Sequence, residues 1–290
     1  MAPRLRRSAL YLPASNPRAI DKARTLACDV VILDLEDAVA PQAKADARVL
    51  AMQAVRDGGF GDRELIIRCN GLDTAWGADD LAAAALAAPD AVLVPKIDGP
   101  ADLASYHAAL AAAPARVALW AMIETCPAIF ALEPIAASGG RLAGLCLGLN
   151  DLSAAMGARL VPGRAALLAI LGLSVAAARA HGLGLLDGVF NGLDDTGGLA
   201  LECAQGADFG FDGKTLIHPS QIEICNRAFS PSPDEVAGAR AVISAFADPG
   251  YEGQGALRVN GRMVEALHLH QAKAVVAAAE AIAAREAMAQ

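Results

Sequence analysis

Val30-Val31-Ile32-Leu33-Asp34-Leu35-Glu36-Asp37-Ala38-Val39 runs from an apolar strand straight into three carboxylates. Desolvating a carboxylate costs several kcal/mol unless it is paired, hydrogen-bonded or near a metal. Three acids at the end of a core strand therefore mark a polar site above a hydrophobic sheet or barrel. For Asp37 taken alone, helix capping is an equal reading, because an acid before Ala-Val-Ala-Pro can accept the free N–H groups of the next turn.

The same kind of strand recurs on both sides of this one. Ala9 to Leu12 precedes it, and a helix opens after it at Ser15-Asn16-Pro17, where Asn or Ser caps and Pro suits the first helical position. Val30 to Leu35 is followed by a helix from about Gln42 to Val55. Further strands are expected at Leu65 to Arg68, Ala91 to Val94, Val117 to Ile123, Leu142 to Leu149, Gly184 to Val189 and Asp208 to Phe211, with a helix at Arg164 to His181. None of these strands alternates apolar with polar residues, which implies a parallel sheet buried on both faces. Eight strand-helix units imply closure as an α/β fold of the (β/α)8 TIM barrel type. The competing open doubly wound sheet lacks its glycine fingerprint after an early strand.

The pattern changes beyond Pro219. A helix from about Pro233 to Phe246, a turn-rich run from Asp248 to Gly255, a short strand from Leu257 to Gly261 and a long Ala-rich helix follow. The expected division is a catalytic barrel over residues 1–230 and a C-terminal helical extension over residues 231–290.

Composition narrows the classes of function. A net charge of -8, with acids spread along the chain, opposes nucleic-acid or anionic-membrane binding. No stretch approaches the roughly 20 apolar residues of a membrane span, and the apolar run after the basic start is too short for a signal peptide, so a cytoplasmic location is expected. The six cysteines stand at least twenty residues apart, which gives no Cys-x-x-Cys motif and points to packed, reduced thiols.

Barrel chemistry sits at the C-terminal strand ends. Those positions hold Asp34, Glu36, Asp37, Arg68, Asn70, Lys96, Glu124, Asn150, Asp151, Asp187 and Asn191. Glu124 and Asp151 follow adjacent strands about 4.8 Å apart, so both can share one divalent ion. Magnesium is the expected metal, because it binds through one or two carboxylates and completes its shell with waters and ligand oxygens. The alternative is that both acids cap helices. Arg68 suits a substrate carboxylate through its planar fork, or a buried salt bridge to Glu36 or Asp37. Lys96 opens a second chemistry, that of a Schiff-base lysine, against simple pairing with an acid.

The strings Leu10-Tyr11-Leu12-Pro13, Val31 to Val39, Arg68 to Thr74, Val94-Pro95-Lys96, Ile123-Glu124-Thr125, Gly148 to Leu152, Asp212-Gly213-Lys214 and Phe229 to Ser232 stand in one order. In that order the chain resembles the citrate lyase beta-subunit-like family, relatives of malyl-CoA and citramalyl-CoA lyases in the phosphoenolpyruvate/pyruvate barrel superfamily. The resemblance implies a magnesium-dependent carbon–carbon lyase that makes or breaks a bond between an acyl-CoA and a 2-oxo acid such as glyoxylate or pyruvate. It implies Glu124 and Asp151 as metal ligands and Arg68 as the substrate-binding arginine. Glu124, Asn70 and Lys96 are further substrate-binding candidates, and Glu36 and Asp37 catalytic ones. It also implies a homo-trimer or hexamer whose C-terminal segment covers a neighbour's site and brings a catalytic aspartate. Here Gly261-Arg262-Met263-Val264-Glu265 places glutamate at that position. Glu265 is accordingly the candidate acid, and the alternatives are a malyl-CoA thioesterase, a citryl-thioester lyase subunit serving a carrier protein, or a non-catalytic 2-oxo acid and CoA-binding protein. Arg4, Arg6, Arg7, Arg18 and Lys22 are candidates for the CoA phosphates.

Overall fold

The structure is a computed structural model that describes residues 4–248 and 255–288. Most of the expected turn-rich run, residues 249–254, lies outside the described residues. Cα packing divides the chain into two units, one of Arg6–Arg227 and one of residues 228–290 with residues 1–5.

The first unit is a closed barrel of eight parallel strands in sequential order. They are β1 Ser8–Pro13, β2 Val30–Asp34, β3 Glu64–Arg68, β4 Ala91–Val94, β5 Ala118–Ile123, β6 Leu142–Leu147, β7 Gly184–Asp187 and β8 Gly213–Leu216. The helices of this unit are α1 Pro17–Ala23, α2 Lys44–Asp57, α3 Gly77–Ala87, α4 Pro100–Ala109, α5 Cys126–Phe130, α6 Leu132–Ala136, α7 Leu149–Met156, α8 Leu168–Ala180, α9 Thr196–Phe209 and α10 Ile222–Ala228. Asn16 caps α1 through its side chain, with Pro17 behind it, as expected.

The barrel's interior is made by alternate strand residues, since successive side chains point to opposite faces. Val30 and Ile32, Ala91 and Leu93, and Trp120 and Met122 join Ala9, Ile66, Cys146 and Leu186 in one buried cluster. The same parity carried upward brings Asp34, Arg68, Glu124 and Gly148 to the mouth. Asp34 and Arg68 are direct register partners on β2 and β3.

The eighth strand is the main correction. Residues 208 and 209 end α9, which Gly210 stops in the left-handed region at φ 96, and β8 begins at Gly213. Its Lys214 is fully buried and ion-paired, so the strand never presents the continuous apolar run that the sequence reading sought. The cysteines are all free thiols, five of them buried. No helix among the described residues is long and apolar enough to cross a membrane.

The second unit holds α11 Pro233–Ala247, β9 Ala256–Val259, β10 Arg262–Glu265 and α12 Ala266–Met288. The expected single strand from Leu257 to Gly261 is instead the first arm of an antiparallel hairpin. Asn260 (φ 49) and Gly261 (φ 79) form its turn, and both positive angles suit the two-residue loops that match strand twist.

Candidate active site

Arg68 organises the mouth. Its Nε and Nη2 donate to the two oxygens of Asp34 at 2.7 and 2.6 Å, a side-on fork. Asp34 is itself fixed by the backbone N–H groups of Glu36 and Ala38, at 2.8 and 3.1 Å. The expected salt bridges of Arg68 are present but secondary: Nη1 lies 2.8 Å from Glu36 and 3.4 Å from Asp37. Of the three acids after β2, Asp34 is thus the one that holds Arg68, and the β2–β3 register is the signal that identifies it. Beneath the guanidinium, the Tyr11 ring lies 4.9 Å away, and Nη1 is 3.8 Å from the Met122 sulfur.

Glu124 and Glu36 are the acids without enough partners. Glu124 Oε1 accepts the Lys96 backbone N–H at 2.8 Å, while its Oε2 is buried with no hydrogen-bond partner. A Cβ on Gly148 would stand 2.3 Å from that oxygen, so only glycine leaves the carboxylate its place. Burial pushes the Glu124 carboxyl up to about 8; the Lys96 N–H opposes the shift, and Glu36 and Asp151 add to it. Burial likewise pushes Glu36 up to about 7, with Arg68 opposing and Asp37 adding. Glu36 Oε2 touches Arg68 as an ion pair, yet without hydrogen-bond geometry.

Asp151 sits in the first turn of α7, exposed, two residues beyond the expected strand end. The N-cap there is Gly148, with no side-chain cap, so the capping alternative does not describe Asp151 as an N-cap. Among the described residues no three His, Cys, Asp or Glu side chains gather as a ready-made metal cage. A buried unpartnered oxygen on Glu124, held open by Gly148 and within electrostatic reach of Asp151, instead fits a hard divalent cation. Such an ion takes one or two carboxylates and finds its other ligands in water and substrate.

Lys96 adopts φ 51, an unusual backbone conformation for a side-chain-bearing residue, which aims its N–H at Glu124. Its half-exposed ammonium lies 3.6 Å from Glu36. Partial burial works against the charge, but Glu36, Asp37, Glu124 and Asp151 together raise its pKa. A lysine held protonated is a poor Schiff-base nucleophile, and the pairing reading applies.

Three sequence expectations meet different partners. Asn70 is spent on structure: Nδ2 donates to Leu35 O and Asp80, and Oδ1 accepts from Lys44 at 2.7 Å. It has no donor left for a substrate. Asp187 turns outward into a buried network with Arg164 and Lys214. Arg6 and Arg7 pair with Glu64 and Asp29 at the N-terminal strand ends, the pole opposite the mouth, so they cannot reach phosphates bound there. Arg18, exposed at the start of α1, remains on the mouth side, whereas Lys22 is exposed in the helix's last turn, toward the opposite pole where Arg24 bonds Gly58 O. A cavity of about 530 Å³ opens between residues 160–164, residues 189–192 and α9, but none of the mouth acids lines it. Glu265 belongs to the second unit, exposed on β10.

The HpcH/HpaI aldolase/citrate lyase family description matches residues 7–219, the barrel with its mouth. The chain belongs to that family. Over 278 residues it is 49% identical to a (3S)-malyl-CoA thioesterase of Cereibacter sphaeroides, covering 96% of each chain. Over 307 residues it is 34% identical to an L-malyl-CoA/beta-methylmalyl-CoA lyase of Rhodobacter capsulatus, covering 96% of this chain and 95% of the lyase. Among solved structures it resembles the protein CitE of Mycobacterium tuberculosis in complex with magnesium, acetoacetate and coenzyme A. That likeness has a TM-score of 0.78 and 31% identity, and covers 94% of this chain and 97% of CitE. The HpcH/HpaI membership agrees with the resemblance read from the motifs.

Proposed function

We propose that this chain hydrolyses a short hydroxyacyl-CoA thioester of the malyl type to the free hydroxy acid and CoA thiol. The observation that carries hydrolysis over carbon–carbon cleavage is the 49% identity to a (3S)-malyl-CoA thioesterase over nearly both whole chains, against 34% to a malyl-CoA lyase. The site supports the substrate class: one buried arginine for a carboxylate, beside acids suited to a divalent ion.

Glu124 and Asp151 would hold Mg2+, which supplies Lewis-acid polarisation of substrate oxygens when bound. Arg68 keeps its Nε–Nη2 edge on Asp34 and presents its Nη1 end to the substrate carboxylate. That end is shared with Glu36, which the arriving carboxylate displaces from Arg68 and which stays ionised above its raised value of about 7. A water adds to the thioester carbonyl carbon, and Glu36 takes its proton. The C–S bond then breaks, and the sulfur receives a proton from Glu265, contributed by a second copy of the chain in a trimer or hexamer. Asp37 steadies the outer rim of Arg68. Arg18 faces the CoA phosphates.

A second reading, malyl-CoA cleavage to an oxo acid and acyl-CoA, is favoured by the lyase relative. One assay separates the two. Purified protein with Mg2+ and (3S)-malyl-CoA is expected to release free thiol without glyoxylate. Glyoxylate and acetyl-CoA without thiol would assign the chain to cleavage instead, and no turnover on bound thioester would assign it to binding alone.

A further inference from the structure

Tyr11 stands on β1 within the string Leu10-Tyr11-Leu12-Pro13, and the hydrolytic scheme does not use it. Yet it shares the inward parity of Ala9, stands under the guanidinium of Arg68, and its hydroxyl lies 3.8 Å from the Cys146 sulfur on β6. The ring thus spans the barrel interior from β1 toward β6. Met122 on β5 supplies a second soft contact to the same Nη1.

Arg68 needs such a floor. Its charged partners are all acids and all attach at its edge: Asp34 twice, Glu36 and Asp37. Edge contacts fix the in-plane position of a guanidinium but restrain its tilt only through hydrogen-bond direction, which is broad at a carboxylate oxygen. A substrate carboxylate that displaces Glu36 would remove one of those edge contacts as it arrives. The face of an aromatic ring restrains the remaining freedom, because a cation within about 6 Å of the ring centroid is held by the ring's quadrupole.

We propose that Tyr11 is a positioning residue for Arg68: its ring face sets the tilt of the guanidinium plane, and its hydroxyl, anchored at Cys146, sets the tilt of the ring. This rests on the reading that Arg68 receives the substrate carboxylate. Burial raises the Tyr11 hydroxyl well above the usual phenol range, so it stays neutral and its part is geometric. A flat guanidinium accepts a carboxylate as a fork only in its own plane, so the tilt governs affinity for the carboxylate more than the later proton transfers.

The test measures binding of glyoxylate and Mg2+ by calorimetry, together with kcat and KM on (3S)-malyl-CoA, for Tyr11→Leu, Tyr11→Phe and each combined with Arg68→Lys. Tyr11→Leu, which removes the face, is expected to weaken glyoxylate about tenfold, within the range for a partly buried cation–π contact. KM should rise with it, and kcat should change less than threefold. Tyr11→Phe, which keeps the face and loses the anchor, should weaken binding two- to threefold. In the Arg68→Lys background both losses should shrink to less than twofold, which a purely structural role would not produce. Equal effects in both backgrounds, a change confined to kcat, or a Tyr11→Leu affinity within twofold of wild type would each overturn the proposal. If Tyr11→Leu does not fold, Tyr11→Phe carries the test alone: a tenfold loss there would move the role to the hydroxyl and overturn it. Failure of the wild-type protein to bind glyoxylate would instead strike the functional reading beneath it.

Discussion

Two groups of buried charges in the same barrel behave in opposite ways. Outside the barrel wall, Arg164, Asp187, Lys214 and Glu202 form a charge-balanced set of two cations and two acids, in which Glu202 lies 3.3 Å from Arg164 and 3.4 Å from Lys214, its Oε2 ion-paired without hydrogen-bond geometry. Arg164 and Lys214 are almost fully buried, and Asp187 takes 2.7 to 2.9 Å bonds from both. At the mouth, Asp34, Asp37, Glu36, Glu124 and Asp151 face only Arg68 and Lys96. Glu124 keeps an oxygen without a partner, and both glutamates are pushed toward neutrality. The same residue types are balanced in the buried group and overdrawn at the mouth, where Asp37, Lys96 and Asp151 also reach solvent. Balance reads as structure; a deficit of cations reads as a place kept for a cation and a substrate.

The sharpest way to break this contrast is to neutralise one acid in each group. Glu124→Gln should lower turnover about a thousandfold, since it removes a proposed metal ligand and with it several kcal/mol of transition-state stabilisation. Its folding stability should hold or rise, because the lost carboxylate was already short of partners. Asp187→Asn should do the reverse, costing about 3–5 kcal/mol of stability by leaving two buried cations to one acid. Thermal melts and kcat/KM for both variants decide it; a Glu124→Gln protein that melts like Asp187→Asn would erase the distinction.

Gly148→Ala probes the same deficit by shape alone. The new methyl would meet Glu124 Oε2 at 2.3 Å and Glu124 Cβ at 2.5 Å, forcing both the carboxylate and the chain that carries it aside, while the backbone at φ -98 itself accepts alanine. Turnover and metal affinity should fall about 10- to 100-fold, as for disturbed metal-ligand support, with a loss of about 1–3 kcal/mol from overpacking, smaller than that of Asp187→Asn. An equally large drop in stability would make Gly148 a packing residue instead.

The deficit also has a pH signature. Glu36 and Glu124 have folded values near 7 and 8, raised above the ordinary 4.5, so the folded state binds more protons than the unfolded one across that window. The metal-free protein therefore loses stability as pH climbs from about 4.5 to 8. A cation at these acids displaces their protons, so the rise in melting temperature on adding Mg2+ should be small near pH 6 and larger above about pH 8. Glu124→Gln should flatten both trends; a pH-independent Mg2+ effect would place the ion elsewhere.

Much of this was legible in the chain. Uniformly apolar strands announced a parallel barrel, and acids placed just past them announced the mouth. What escaped reading was set by partners far away in sequence. Strand β8 hid because Lys214 is buried against Asp187, 27 residues earlier, which no apolar pattern reveals. Asn70 looked free until Lys44 and Asp80 claimed it. Asp34 and Glu36 read as equals, although strand pairing gives Asp34 the fork and leaves Glu36 the weaker contact. The β9–β10 hairpin, by contrast, was present in plain sight as Asn260-Gly261 and was missed for want of weighting that dipeptide.

The faintest expected effect compares the two poles of the barrel through their arginines. Arg6 and Arg7 are tied to Glu64 and Asp29 beneath the barrel, whereas Arg18 stands exposed at the start of α1 on the mouth side. If CoA phosphates lie along that rim, Arg18→Ala should raise KM for the thioester about two- to fivefold and leave kcat alone. The increase should fade in high salt, because an exposed charge is screened within about 10 Å at 0.1 M ionic strength. Arg6→Ala should leave KM untouched and lower the melting temperature, since it removes the 2.5 Å ion pair to the buried Glu64 carboxylate and the stacking of Arg6 on Trp120. A KM response to Arg6 and none to Arg18 would put the thioester's phosphates at the wrong end of the barrel for Glu124 and Arg68 to act on its acyl group.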